Sequence, residues 1–197
     1  MKRTYNSRRR SESALHTRQA IVEAAVRLHG EGITTLSAVA EEAGVSLPTL
    51  NKYFPTREDL FTACTTHVAE RLEYPSPETL LAIQNPGERL RCVVQAVFRL
   101  HEATIGQVWT GYKLEDESPV LAQAIAGQEG VVALLADTLT QDRAASDRDT
   151  LTRFVRAALS PLTYRALRFR NGLSFEEAVS NMTLALAGLL DIEAVEA

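Results

Sequence analysis

The chain has 197 residues, ten of them glycine and two of them cysteine, and a formal net charge of −4 at pH 7. Glycine is too sparse for a dinucleotide-binding fingerprint, no G-x-S-x-G, Walker or H-E-x-x-H motif occurs, and no apolar span approaches the roughly 18 residues of a membrane helix. Two unclustered cysteines without a secretory apolar segment indicate reduced thiols, so we expect a cytoplasmic protein without catalysis, cofactor, metal or membrane contact.

The N-terminal part of the chain is basic. Residues 1–27 contain seven basic and two acidic residues, a net charge of +5, whereas the rest of the chain carries −9. Such asymmetry is typical of a nucleic-acid-binding arm on an acidic body. We expect residues 1–16 to form a flexible arm whose Arg8, Arg9 and Arg10 contact DNA phosphates, because arginine neutralises the backbone without reading sequence. A disordered solubilising tail is the alternative.

The first helix is predicted over residues 18–28. Its apolar residues, from Ile21 to Leu28, recur at i, i+3, i+4 and i+7, which places them on one helix face. Thr17 is a candidate N-cap for this helix.

A helix-turn-helix is predicted between residues 36 and 54. The first helix shows the same apolar spacing and stops at Gly44, where a helix commonly ends in a left-handed residue. Ser46 can cap a second helix that has Pro48 in its first turn. That second helix is short and polar on one side, which suits insertion into a DNA major groove. A helix–glycine–helix corner in an ordinary all-α protein is the alternative.

The rest of the chain is also predicted to be helical. Thr56 precedes an acidic first turn and begins a helix that continues to about Leu72. Further helices are predicted over about residues 86–106, 118–139, 149–170 and 175–190, with a polar loop over residues 141–149.

Two stretches, TRQAIVEAAVRL and TTLSAVAEEAGVSLPTLNKYFPTREDLF, resemble the N-terminal domain of the tetracycline-repressor (TetR) family of bacterial regulators, over roughly residues 17–62. The resemblance implies an all-α protein with a helix-turn-helix domain over residues 17–56 and a larger helical ligand-binding and dimerisation domain over residues 57–197. It also implies a homodimeric repressor that binds a double-stranded DNA operator and is released by a small apolar or amphipathic ligand. A regulator controlled by a partner protein, or by no ligand, is the first alternative. An all-α enzyme or binding module is the second.

The resemblance also implies three groups of DNA contacts. Thr35 and Ser46 are expected to hold phosphates at helix N-termini. The base edges are expected to be approached by Leu47, Pro48 and Thr49. The phosphate backbone is expected to be contacted by Lys52, Tyr53 and Arg57. Asn51 departs from the family pattern, because a tyrosine that contacts phosphate usually occupies this position. The short amide of asparagine suits the N6 and N7 edge of adenine.

Candidate ligand-pocket residues lie between the predicted helices. Aromatic and polar-tipped side chains among aliphatic ones suit an apolar cavity, and these are Phe61, Cys64, His67, Phe98, His101, Trp109 and Tyr112. A place in the hydrophobic core is the alternative for each of them.

The last predicted helix is apolar nearly all round and therefore needs burial on more than one side. In the resembled family the last two helices pair with those of a second subunit as a four-helix bundle. The candidate interface residues are Phe154, Leu162, Met182, Leu186 and Leu189. Completion of the monomer core is the alternative.

Overall fold

A computed structural model describes residues 2–193 of the chain, with side chains described for residues 12–144 and 148–193. Within these residues all regular secondary structure is helical, without a β-strand, so the predicted all-α class is confirmed. The helices are α1 (Lys2–Gly30), α2 (Leu36–Glu42), α3 (Leu47–Tyr53), α4 (Arg57–Ala69), α5 (Pro77–Leu81), α6 (Pro86–Leu114), α7 (Pro119–Asp137), α8 (Ala145–Ala158), α9 (Pro161–Arg165) and α10 (Phe175–Leu189), with a π-helical turn at Ala166–Arg170.

The first helix is much longer than predicted. It begins at Lys2, and Thr17 is not its N-cap, since the Thr17 hydroxyl donates to the Ser13 carbonyl 2.9 Å away within the helix. The sequence before Thr17 contains neither glycine nor proline, so nothing in it ends a helix. The predicted boundary between arm and helix at residues 16 and 17 therefore does not coincide with a helix end.

Further boundaries differ where a local signal was missed. α4 ends at Ala69, before the predicted Leu72, and α8 begins inside the predicted loop over residues 141–149. The predicted helix over residues 149–170 is interrupted after Ala158, because Pro161 lacks the backbone N–H that a continuous helix needs. Ser160 instead caps α9, its hydroxyl accepting from the Thr163 N–H at 3.3 Å.

The expectation that no apolar span reaches membrane length is wrong, because α7 reaches it. It has 19 residues and contains an 18-residue window of mean hydropathy 1.4, of which 28% is buried within the chain. The same helix contributes Val132, Leu135 and Ala136 to a hydrophobic core, and core helices satisfy the same criterion of length and composition. The criterion alone therefore does not indicate a membrane segment.

The chain divides into two compact units. The first contains the chain up to Arg71 together with Gly106–Ile125, and the second contains Leu72–Ile105 together with the chain from Ala126 onward. α4 thus belongs with the helix-turn-helix, although the predicted domain boundary followed residue 56. The reason is burial, since Leu60 and Cys64 of α4 lie in the same core as α1, α2 and α3.

The first unit holds the end of α1 against the C-terminal part of α6. The Thr110 hydroxyl donates to the His29 carbonyl at 2.7 Å, and the Gln107 amide donates to the Val26 carbonyl at 3.2 Å. The His29 carbonyl also accepts from the Gly32 N–H at 3.1 Å, so the α6 side chains add further hydrogen bonds to the end of α1. The backbones approach so closely that a Cβ atom on Gly106 would lie 2.4 Å from the Gly30 carbonyl oxygen.

We predict that Gly106→Ala lowers the free energy of unfolding by about 1–3 kcal/mol, because the added methyl group meets rigid backbone. Gly127→Ala is the matched control, since it also lies in a helix and its Cβ would meet nothing within 4 Å. The control should raise the free energy of unfolding by roughly 0.5–1 kcal/mol. Denaturant titration measures both effects, and equal stabilisation by the two substitutions would contradict the close packing of α1 on α6.

Candidate functional site

The corner between α2 and α3 has the geometry that its sequence predicts. Gly44 has φ +66°, and its N–H donates to the Glu41 carbonyl at 3.0 Å. The following Val45 N–H donates to the Ala40 carbonyl at 2.9 Å, and the Val45 side chain packs against the core of the first unit. Glycine is needed here because a side chain disfavours positive φ. The corner therefore fixes the direction in which α3 leaves α2.

Two buried side chains anchor α3. Leu50 is fully buried, and Phe54, which directly follows the helix, is 2% exposed. The Arg18 guanidinium carbon lies 5.1 Å from the centroid of the Phe54 ring, a cation–π contact that connects α1 to the end of α3. The opposite face of α3 is consequently free to contact a ligand.

The exposed face of α3 carries four of the predicted DNA-contacting residues. Leu47 is 40% exposed, and Pro48, Asn51 and Lys52 are exposed as well. Tyr53 is partly buried and packs against the core of the first unit. The face thus presents one amide, one ammonium group and two apolar side chains, a set that can contact both base edges and phosphates.

The capping hydroxyls are in the predicted positions. The Thr35 hydroxyl accepts from the Ala38 N–H at 3.4 Å, and the Ser46 hydroxyl accepts from the Thr49 N–H at 3.3 Å. The Thr49 hydroxyl lies 2.8 Å from that of Ser46, so both are engaged within the turn. Their predicted contacts with DNA remain predictions.

Arg57 is held within the protein. Its guanidinium carbon lies 5.3 Å from the centroid of the Phe61 ring, and one of its nitrogens lies 3.8 Å from a carboxylate oxygen of Glu117. A contact with the DNA backbone would therefore compete with the Glu117 carboxylate. The side chains of Arg8, Arg9 and Arg10 lie outside the described residues.

The seven candidate pocket residues do not belong to one unit. Phe61, Cys64, His67, Trp109 and Tyr112 belong to the first unit, and Phe98 and His101 belong to the second. Burial raises the pKa of the Cys64 thiol to about 12, so this thiol stays protonated in the core. The role of these residues in ligand binding remains a prediction.

A separate polar cleft of about 780 Å³ lies in the second unit and is lined by none of these seven residues. Arg89 is one of its lining residues, and its guanidinium donates to the Ile83 carbonyl at 3.0 Å and lies 3.7 Å from the Asp142 carboxylate. Because its guanidinium is already paired in this way, Arg89 serves the structure of the cleft rather than an open anion site.

Phe98 and His101 form a buried aromatic cluster with Tyr164. The Phe98 and Tyr164 ring centroids are 4.8 Å apart with an interplanar angle of 63°, and the His101 centroid lies 5.6 Å from that of Tyr164. The Tyr164 hydroxyl donates to the Glu102 carboxylate, to which Arg168 also donates at 2.7 Å. Burial, and then the Glu102 carboxylate, raise the pKa of Tyr164, so its hydroxyl keeps its proton.

Sequence reasoning missed this arrangement around Tyr164. Arg168 belongs to the π-helical turn, and its guanidinium also donates to the Leu173 carbonyl at 2.6 Å. No local pattern in the sequence distinguishes this turn from a continuous α-helix. The missed side chains Gln107 and Thr110 likewise depend on a contact between distant segments.

The candidate dimer-interface residues divide into exposed and buried ones. Phe154 and Leu162 are 57% and 50% exposed, and Leu189 is 40% exposed. Met182 and Leu186 are buried at 9% and 2% exposure in the core of the second unit, so the single chain does not present them on its surface, and their place in an interface stays a prediction. The cause is helical phase, since these two residues lie on the face of α10 that packs inward.

Two further residues extend the exposed apolar set. Phe169 of the π-helical turn is 57% exposed, and Leu184 of α10 is 65% exposed. Large apolar side chains that cluster on a surface mark interaction sites when they form a patch. The exposed set on the last helices is therefore Phe154, Leu162, Phe169, Leu184 and Leu189.

Comparison with known proteins identifies the N-terminal segment. Residues 21–64 match the family described as bacterial regulatory proteins, tetR family. The HTH-type transcriptional regulator BetI of Agrobacterium fabrum is 29% identical over 103 residues, which are 50% of this chain and 50% of BetI. The chain thus matches about half the length of these curated relatives.

Solved structures show a similar fold over most of the chain. A transcriptional regulator from Rhodococcus sp. Rha1 has a TM-score of 0.66 and 15% identity, with 88% of this chain and 96% of that chain covered. FadR from Bacillus subtilis, in complex with stearoyl-CoA, has a TM-score of 0.58 and 19% identity, with 90% and 99% covered. At these identities the likeness concerns the fold alone.

Proposed function

We propose that this chain, whose residues 21–64 match the tetR family of bacterial regulatory proteins, is a DNA-binding transcriptional regulator of that family and acts in the cytoplasm as a homodimeric repressor. It binds a DNA operator and is released by a small apolar or amphipathic molecule. The observation that carries the proposal is the rigidly held α3, which is anchored by Leu50 and Phe54 and exposes Asn51 and Lys52 on its other face. Regulators of this family are generally not enzymes, and we assign no catalytic role.

The exposed residues of α3 are suited to different kinds of contact with DNA. Asn51 carries both a donor and an acceptor on one short amide, which matches the N6 and N7 edge of adenine in the major groove. Leu47 and Pro48 offer apolar contact, for which a thymine methyl group is the favoured partner. Lys52 carries a charge that attracts phosphate irrespective of sequence. Each half-site then contains A·T pairs beneath α3.

The basic N-terminal residues support the same proposal through charge. Arg8, Arg9 and Arg10 belong to a segment with net charge +5, whereas the rest of the chain is acidic. Lys52 adds an exposed positive charge on α3. Phosphate contacts of this kind strengthen binding and make it dependent on salt concentration.

The exposed apolar side chains of the last helices support a homodimer. Phe154, Phe169 and Leu184 are each more than half exposed in the single chain, which is unfavourable for large apolar side chains in water. Association of two copies through these side chains would remove them from water. A two-fold dimer also presents two copies of α3, and this fits an operator with two related half-sites.

The protein has one state that binds DNA and another that does not. Release by a ligand requires only that the ligand has the higher affinity for the state that does not bind DNA. The complex of FadR with stearoyl-CoA supports the presence of a ligand site in a protein of this fold.

The first test concerns sequence recognition. Asn51→Ala should weaken operator binding by about 1–3 kcal/mol and relax the preference for one adenine in each half-site, because the amide contact is lost. Lys52→Ala is the matched control, and it should weaken binding to operator and unrelated duplexes by a similar factor while flattening the slope of log K against log salt by about 0.9. Fluorescence anisotropy titration measures both variants. Unchanged base preference in Asn51→Ala would contradict the assigned role.

The second test concerns assembly. Leu184→Glu should convert the dimer to a folded monomer in sedimentation velocity, because a carboxylate would lie unpaired in an apolar interface. Leu15→Glu is the matched control, since Leu15 and Leu184 are both 65% exposed, and this variant should remain a dimer. Leu186→Glu is unsuitable, because it would unfold the subunit core. If both Leu184→Glu and Phe154→Glu remain dimers, these side chains do not form the dimer interface.

A further inference from the structure

His101 has one ring nitrogen with a partner and one without. Its side chain is completely buried in the second unit, and its Nε2 lies 2.8 Å from the Leu159 carbonyl oxygen. A carbonyl oxygen only accepts hydrogen bonds, so Nε2 carries the proton in this contact and Nδ1 is left as an acceptor. Within the part of the chain that the structure describes, no donor reaches Nδ1.

The groups that surround this acceptor cannot supply the missing donor. Phe98, whose ring centroid lies 6.4 Å from that of His101, has no donor. The Tyr164 hydroxyl already donates to Glu102, whose carboxylate also binds Arg168. The Thr104 hydroxyl, one helical turn along α6, donates to the Leu100 carbonyl at 2.7 Å. A buried acceptor without a donor is unfavourable and rare in folded proteins.

Two other buried side-chain atoms, His29 Nε2 and Thr183 Oγ1, also have no hydrogen-bond partner within the described residues. The His29 ring packs on Phe61, with centroids 5.2 Å apart at 67°, and belongs to the first unit. Thr183 lies on α10, and its hydroxyl oxygen can move by a change of side-chain rotamer. The His101 ring cannot rotate without losing its contact with the Leu159 carbonyl.

We propose that the effector of this regulator donates a hydrogen bond from a hydroxyl or N–H group to His101 Nδ1 and packs its apolar body against Phe98 and Tyr164. This assignment depends on the proposed ligand-responsive function and names the chemical class of the ligand: an uncharged, largely apolar alcohol, phenol, amine or amide. A carboxylate or phosphate is disfavoured, because it brings a second acceptor to a nitrogen that has no proton to give.

The protonation state of the ring supports this choice. Burial lowers the pKa of His101 to about 4, although the Leu159 carbonyl acts in the opposite direction. The ring is therefore neutral at pH 7, and an anion would have to be bound at the expense of protonating it in an apolar environment. A neutral donor needs no such change.

The segment next to the ring offers a route for a ligand. Tyr164 packs against His101 and is followed almost directly by the π-helical turn Ala166–Arg170. Turns of this kind are rare and occur frequently at functional sites, because their hydrogen bonds are out of step with the surrounding helix. We expect the ligand to reach Nδ1 by displacing Tyr164, whose ring centroid lies 5.6 Å from that of His101.

The test uses three probes of similar shape on the full-length protein: 4-fluorophenol, 4-fluoroanisole and 4-fluorobenzoate. Binding is measured by 19F NMR titration, and protein labelled with 15N on its histidine rings reports the hydrogen bond directly. We expect 4-fluorophenol to bind about tenfold more tightly than 4-fluoroanisole, the effect of one hydrogen bond, and more tightly than the benzoate. The phenol, but not the anisole, should shift the 15N signal of the unprotonated His101 nitrogen.

Two variants separate this contact from general packing. His101→Leu, which assigns the 15N signal by its loss, should bind the phenol and the anisole equally. Gln128→Leu is the matched control, because it removes a nearby 3.0 Å hydrogen bond to Thr104 and leaves His101 intact. It should keep the preference for the phenol. If His101→Leu fails to fold, the 15N shift in the unaltered protein still decides the question.

Equal affinity for the three probes, preference for the benzoate, no binding of any probe, or an unshifted 15N signal would each overturn the proposal. Operator binding by the ligand-free protein is measured in parallel. Its absence would contradict the proposed function itself, whereas operator binding without phenol preference would contradict only the assignment of the ligand.

Discussion

The burial of Leu50 and Phe54 is the interaction on which the function of this molecule depends. These side chains are 0% and 2% exposed in a core shared by α1, α2 and α4. A helix as short as α3 has little stability of its own in water, so its structure comes from this packing. The same packing determines which of its side chains face outward. Rigid presentation of Asn51 and Lys52 is therefore a consequence of core formation in the first unit.

The sequence predicts the helix-turn-helix well because its signals are local. Gly44, Ser46 and the capping box of Thr56 and Asp59 each act within three or four residues of the chain, and all have the expected geometry. The close approach of Gly106 to Gly30 could not be predicted in this way. It depends on two segments that lie far apart in sequence, and glycine alone does not indicate which backbone it approaches.

In the larger part of the chain, the sequence pattern does not predict which candidate site residues are buried and which are exposed. α10 is apolar on most of its surface, so its sequence does not reveal which face packs inward. The structure buries Leu186 and exposes Leu184, although both are leucines on the same helix. Phe98 and His101 likewise satisfy both a core and a ligand-binding interpretation. The unpaired Nδ1 of His101 is the observation from which we propose a ligand-binding role, and no sequence pattern reports on it.

The central claim is that two copies of α3 read a symmetric DNA site. Selection of bound duplexes from a random library by the full-length protein, followed by sequencing, tests this claim most directly. The account predicts a site with dyad symmetry, A·T pairs in each half-site, and half-site centres about 34–36 Å apart or a multiple of this distance. Enrichment of a site without dyad symmetry, or no enrichment of any sequence, would contradict it.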